Sequence, residues 1–143
     1  MTRRDVHRFD RLHKVREVEE QRARQDLVTA HAVLRRASAD RYAVRAAAGQ
    51  QPGLGLRDLG LFRTELAVGQ LRNEQLAAAD EQVRLAEANV QQAHAVWSQA
   101  ARRLQGLDKL VERRRDAART DALLAESNEL EDLFLARRVR ETS

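Results

Sequence analysis

The sequence predicts an all-α fold: a long antiparallel two-helix coiled-coil hairpin whose second helix is longer than the first. Apolar residues in its second half alternate in steps of three and four, the 3.5-residue period of a helix that winds around another. With six Gly and one Pro in 143 residues, the composition is that of long helices. One turn-forming cluster divides the chain in two.

The first helix is predicted over residues 5–48. Its second half carries one apolar stripe, formed by Leu27, Ala30, Leu34, Ala37 and Val44. Its first half carries a stripe that is offset from the other, formed by Phe9, Leu12, Val15 and Val18. The offset predicts a stutter near residues 16–23, where the buried face would drift around the helix.

The turn is predicted over residues 49–55. Pro52 has no amide hydrogen to donate, and Gly49, Gly53 and Gly55 relax the backbone around it. All of residues 1–143 are therefore predicted to form a single hairpin domain.

The second helix is predicted over residues 56–140. Gly60 and Gly69 leave open a break within residues 60–69, because each costs about 1 kcal/mol relative to Ala. The strict repeat follows this region, and we call its residues the seam: Leu76, Ala79, Val83, Ala86, Val90, Ala93, Trp97, Ala100, Leu104, Leu107 and Val111. The only Trp, Trp97, is interpreted as a core anchor, with a recognition role as the alternative.

The two predicted helices differ in length by a factor of about two, about 66 Å against about 126 Å at 1.5 Å per residue. The last 30 to 40 residues of the second helix would then have no partner within the chain. An isolated helix gains most of its stability by burying a face, so this overhang predicts that the protein works inside a larger assembly.

Composition argues against an enzyme, a metalloprotein and a membrane-spanning protein. There is no Cys, no glycine-rich phosphate loop and no nucleophile elbow, and the four His are scattered. No apolar run of about 18 residues exists, and no apolar signal segment follows the N-terminal residues. The sequence therefore predicts a cytoplasmic protein without catalytic residues, metal or cofactor.

Charge is concentrated toward the ends of the chain, although the net charge is only +4. Residues 102–119 form a basic patch with seven cations and three anions. Phosphate contacts could use such a patch, but the interleaved acids and the 3% aromatic content argue against a nucleic-acid partner. A protein partner with an acidic surface fits the patch better.

Three segments together resemble the FliJ family of flagellar type III export proteins. Residues 8–15 (RFDRLHKV) are similar to the opening pattern of the family, and residues 107–114 (LDKLVERR) to a segment of its second helix. Residues 126–132 (ESNELED), followed by Arg137 and Arg138, are similar to its closing acidic motif and basic pair. Ala125 departs from the family, which usually has Arg there, and the acidic pair appears as Glu131-Asp132.

The resemblance implies a non-catalytic coupling stalk of the flagellar export apparatus at the cytoplasmic membrane, without membrane insertion. The open end of the hairpin would bind and stimulate a hexameric export ATPase through Arg3, Arg4, Arg8, Arg11, Leu12, Arg137, Arg138 and Arg140. The cytoplasmic domain of the membrane export gate would bind Leu59, Phe62 and Leu66, which are spaced i, i+3 and i+7. Export chaperones are further implied partners. Packing at the hairpin tip is the alternative role for Leu59, Phe62 and Leu66.

Two alternatives stay open. Residues 12–18 (LHKVREV) and 56–59 (LRDL) also resemble the YscO family of injectisome stalks, which would change the machine but keep the mechanism. The second alternative is a self-associating coiled-coil scaffold without an ATPase partner.

Overall fold

The computed structural model describes residues 2–49 and 59–142. Helix α1 spans Arg3–Gly49 and helix α2 spans Leu59–Thr142, and no strand occurs among the described residues. The predicted fold class, an all-α hairpin with the longer helix second, is confirmed. Residues 50–55 of the predicted turn, with Pro52, and residues 56–58 of the predicted second helix lie outside the described residues.

The start of α1 is fixed by a cap between Thr2 and Asp5. The Thr2 hydroxyl donates to Asp5 Oδ2 at 2.6 Å, and the Thr2 amide donates to the same oxygen at 3.1 Å. The Asp5 amide donates in turn to the Thr2 carbonyl at 3.0 Å. This reciprocal arrangement satisfies amides at a helix start and accounts for a helix that begins two residues before the predicted one.

Contacts divide the chain into two units, and each contains a piece of both helices. The terminal unit comprises Met1–Glu19 and Ala100–Ser143, and the central unit comprises Glu20–Gln99. In the terminal unit, Phe9 contacts Arg114 and His13 contacts Asp108. A residue later in α1 therefore contacts a residue earlier in α2, so the two helices are antiparallel in this unit. The prediction of a single domain stays a prediction.

The central unit shows the same direction of pairing. Glu20 contacts Trp97, and Arg45 Nη2 lies 3.1 Å from Asp80 Oδ1. Arg41 Nη1 approaches the same carboxylate oxygen at 4.0 Å.

All eleven seam residues of α2 are buried or half-buried. Among the described residues the buried apolar side chains are few and mostly small: Ala23, Val83, Ala86 and Leu107. Small side chains allow two helices to approach closely but bury little area each, so stability is spread thinly along the pair.

The expected stutter in α1 is wrong. Leu12, Val15 and Val18 are exposed, and the less exposed side chains of this part of α1 are Phe9, His13, Arg16, Glu20 and Ala23. From His13 to Ala48 these positions keep steps of three and four residues. Polar residues occupy the paired face because α2 offers them partners: Asp108 for His13 and Trp97 for Glu20.

The break considered for residues 60–69 is absent, since α2 runs without interruption through Gly60 and Gly69. A glycine inside a helix raises its free energy by only about 1 kcal/mol, which the surrounding turns outweigh. Over the described residues, neither helix contains a window apolar enough to cross a membrane.

We predict that Gly69→Ala and Gly106→Ala each raise the free energy of unfolding by about 0.5–1 kcal/mol. Both glycines lie inside α2 without a positive φ, and an added Cβ meets nothing within 4 Å at either position. Urea denaturation followed by circular dichroism checks this, with Ala78→Gly, at an exposed α2 position, as the opposite control. Unchanged or lower stability in both alanine variants would contradict a regular α2.

Candidate protein-interaction surfaces

A buried carboxylate at the helix interface is the most enclosed polar group among the described residues. Glu20 is only 6% exposed. Trp97 Nε1 donates to Glu20 Oε1 at 3.0 Å from the facing helix, and Arg24 donates to the same oxygen through Nε at 3.1 Å. The His94 ring lies 5.9 Å from the Trp97 ring, centroid to centroid. Trp97 is therefore both a core anchor and a hydrogen-bond donor within the hairpin.

These contacts favour the charged form of Glu20. The hydrogen bond from Trp97 and, to a smaller extent, the hydrogen bond and charge of Arg24 hold the pKa of Glu20 below its ordinary value of 4.5. Burial acts in the opposite direction, because removing water penalises a charge. The sequence signal that could have found this position is its spacing, seven residues before Leu27 in the predicted apolar stripe of the first helix.

The terminal unit contains a shallow groove between the start of α1 and residues 108–119 of α2. Phe9, His13, Val111 and Arg115 line it. His13 Nε2 lies 2.6 Å from Asp108 Oδ1, and its Nδ1 lies 3.4 Å from Glu17 Oε1. The Arg114 guanidinium sits 4.4 Å from the Phe9 ring centroid, a cation–π contact. Phe9 is thus half-buried, with a charged side chain over its ring.

Every residue of α2 from 112 to 142 is exposed, including those that line this groove. We call residues 120–142 the C-terminal arm. Residues 121–132 contain five anions and no cation, and Arg137, Arg138 and Arg140 follow them. Large apolar side chains are interspersed with these charges, and all are more than half exposed: Leu123, Leu124, Leu130, Leu133, Phe134, Leu135 and Val139.

The arginines predicted to share the open end are not brought together. Arg4, Arg8 and Arg11 line one surface of α1 together with His7. If Phe9 marks the level of Arg114, then Arg3 lies level with residue 120, and Arg137 is about 25 Å farther along the α2 axis. Arg137 instead pairs with Glu141 on its own helix, at 3.6 Å between Nε and Oε1. The expected adjacency of these two arginine groups is wrong, since α1 is too short to reach the end of α2.

The remaining predicted contact residues are exposed. Leu12 lies on the solvent side of α1. Leu59 is 80% exposed, and Phe62 and Leu66 are also exposed in the first turns of α2. The last turns of α1 lie beside a later part of α2, near Arg72 and Gln75. The binding roles assigned to Leu12, Leu59, Phe62 and Leu66 stay predictions.

The chain matches no protein-family model, no curated protein and no solved structure. The resemblance to the FliJ family therefore stays a prediction that depends on the residues quoted for it. Within the described residues, no group of three or more His, Asp or Glu side chains is arranged to hold a metal ion.

We predict that the stability of the hairpin falls as pH drops through the acid range and that Trp97→Phe makes this fall shallower. A carboxyl with a lowered pKa contributes its stability above its unfolded-state pKa of about 4.5, and the contribution is lost as pH falls through the folded-state pKa. Removing the indole donor removes the largest cause of the lowered pKa.

Urea denaturation at a series of pH values measures this effect. Glu20→Gln is the control that removes the titrating group, and its acid profile should resemble that of Trp97→Phe. An identical slope in the wild type and both variants would show that the contact does not hold the carboxylate in its charged form.

Proposed function

We propose that this protein is a non-catalytic coupling stalk that binds and stimulates a hexameric ATPase of a flagellar type III export apparatus. The observation that carries the proposal is the unequal hairpin, whose longer helix ends in an exposed arm. Such an arm offers a single helix to a ring while the paired helices stay outside it. The resemblance of three segments to the FliJ family supplies the identity of the machine.

The C-terminal arm, without the N-terminal residues, is the part we assign to the ring. Two of its three arginines, Arg137 and Arg138, are exposed beside the exposed apolar side chains of Phe134 and Leu130. Exposed ion pairs contribute only about 0–1 kcal/mol each, which suits a stalk that contacts several subunits without locking to one. Arg4, Arg8 and Arg11 then face the rim of the ring rather than its pore.

Two further contacts belong to the proposal. Leu59, Phe62 and Leu66 form the surface for the cytoplasmic domain of the export gate, and export chaperones are additional cargo-handling partners. These contacts would place the protein at the cytoplasmic face of the membrane at the flagellar base. A YscO-type stalk of an injectisome is the alternative machine, and the same surfaces would serve it.

The test is ATP hydrolysis by the cognate ATPase with increasing amounts of the purified chain. We predict stimulation, with the ring form of the ATPase increasing in parallel. Arg137→Glu with Arg138→Glu should raise the half-maximal concentration about tenfold, because two reversed charges at about 0.7 kcal/mol each amount to that factor. Arg35→Glu with Arg36→Glu is the matched control, since this adjacent pair is also exposed but lies on α1.

No stimulation of the correct ATPase, or equal loss in both double variants, would contradict the assignment to the arm. A chain that forms a stable complex with itself and never engages an ATPase would favour the scaffold alternative instead.

A second prediction concerns the gate. Phe62→Ala with Leu66→Ala should weaken binding to the gate domain about thirtyfold or more while leaving ATPase stimulation unchanged, because two interface anchors that contribute more than about 1 kcal/mol each exceed about 2 kcal/mol together. Leu85→Ala with Val96→Ala is the control, because both side chains are exposed elsewhere on α2. Isothermal titration with the isolated gate domain measures it, and equal binding by both double variants would remove this site.

A further inference from the structure

The apolar residues of the C-terminal arm do not continue the face that α2 presents to α1. Steps of 3.5 residues from Val111, the last seam residue, lead to Ala118, Ala122 and Ala125. Leu123 lies twelve residues beyond Val111, which is about 120° around the helix at 100° per residue. The exposed apolar stripe of the arm is therefore directed at something other than α1.

This stripe has its own coiled-coil spacing. Leu123, Leu130 and Phe134 lie on one line, with Ser127 between the first two. Arg137 and Glu141 continue the same steps of four and three residues. Leu130 and Phe134 are both more than half exposed. The stripe therefore has an apolar centre with polar positions on either side.

We infer that the occupant of this stripe is the same stripe of a second copy of this chain, bound antiparallel. In an antiparallel pair, the stripe residues of one arm lie opposite different stripe residues of the second arm. When Leu130 lies opposite Phe134 of the second copy, the two-fold axis passes residue 132, and Ser127 lies opposite Arg137. Beside the central stripe, Leu133 lies opposite Leu133 of the second copy, and Glu126 lies opposite Arg140 of the second copy.

Charge selects the antiparallel direction. With the two-fold axis at residue 132, residues 137–140 of one copy lie level with residues 124–127 of the other, so Arg140 meets the single acid of that segment, Glu126. A parallel pair would instead align acid with acid and arginine with arginine. The antiparallel pair includes one unfavourable contact, Glu131 with its own copy near the axis, against two Glu126–Arg140 contacts.

The arm is about 35 Å long, so two paired arms would bury about 1,200 Å2 of surface in total, which is the low end of the range for specific interfaces. The dimer is therefore weak and depends on concentration. Leu130, Phe134 and Arg137 also belong to the surface that we propose for the ring, so the pair is a form of the free chain that binding to the ring would displace. Sedimentation without the ATPase measures the pair and ATP hydrolysis measures the stalk, so either can fail alone.

Sedimentation equilibrium of the full chain over a range of concentrations is the test. We expect a reversible monomer–dimer equilibrium that Phe134→Ser weakens by about tenfold or more, as for a central apolar anchor. Leu135→Ser should change it by less than about twofold, because Leu135 is similarly exposed, 59% against 69%, but lies on another face of the helix. Equal helix content by circular dichroism confirms that both variants fold.

Charge exchange tests the direction of pairing. Glu126→Arg and Arg140→Glu should each weaken the dimer by about three- to tenfold, and the double variant should restore it. A disulfide must not form readily in Ser127→Cys, because antiparallel copies hold these positions about 15 Å apart, whereas a parallel pair would align them.

A chain that stays monomeric at all accessible concentrations would overturn the inference. So would a dimer insensitive to Phe134→Ser, or a Ser127→Cys dimer that oxidises rapidly.

Discussion

Burial of an alternating three- and four-residue stripe of α2 against α1 is the interaction on which the rest of the structure depends. The stripe consists largely of Ala and Val, so each position buries little area, and many positions must act together. The helix that supplies the opposite face has 47 residues, whereas α2 has 84. The surplus of α2 follows directly from that inequality, and so does every exposed apolar side chain on which the functional proposals depend.

Much of the fold could be predicted from the sequence because apolar periodicity on α2 is uninterrupted from Leu76 to Val111. The same reasoning failed in the first half of α1, where Leu12, Val15 and Val18 form a plausible stripe but face solvent. His13 and Glu20 face α2 instead. Their spacing could have placed both residues on that face, but a polar residue argues against a buried face until its partner is known, and these partners, Asp108 and Trp97, are distant in sequence.

The candidate surfaces were predicted less completely than the fold. Composition located the arginines near both chain ends, and the mismatch of helix lengths indicated an overhang. Those two expectations conflict, because an overhang separates Arg3 from Arg137. The structure has the overhang, so the ATPase contact that we propose is on the arm alone and not at a shared end of the hairpin. Neither periodicity nor charge could decide this without the alignment of Phe9 with Arg114.

The hydrogen bond from Trp97 to Glu20 helps to determine the register in which the two helices pack. Small apolar residues repeat along this interface, so moving one helix along the other by seven residues brings similar side chains together again. Apolar burial alone therefore discriminates poorly between these registers. Such a shift would place Glu20 opposite Val90 or Leu104, whose side chains have no hydrogen-bond donor. Glu20 would then keep only the contact with Arg24 on its own helix, and a buried carboxylate that loses a donor is unfavourable. The Glu20 carboxylate thereby favours one register of the two helices over registers that differ by seven residues.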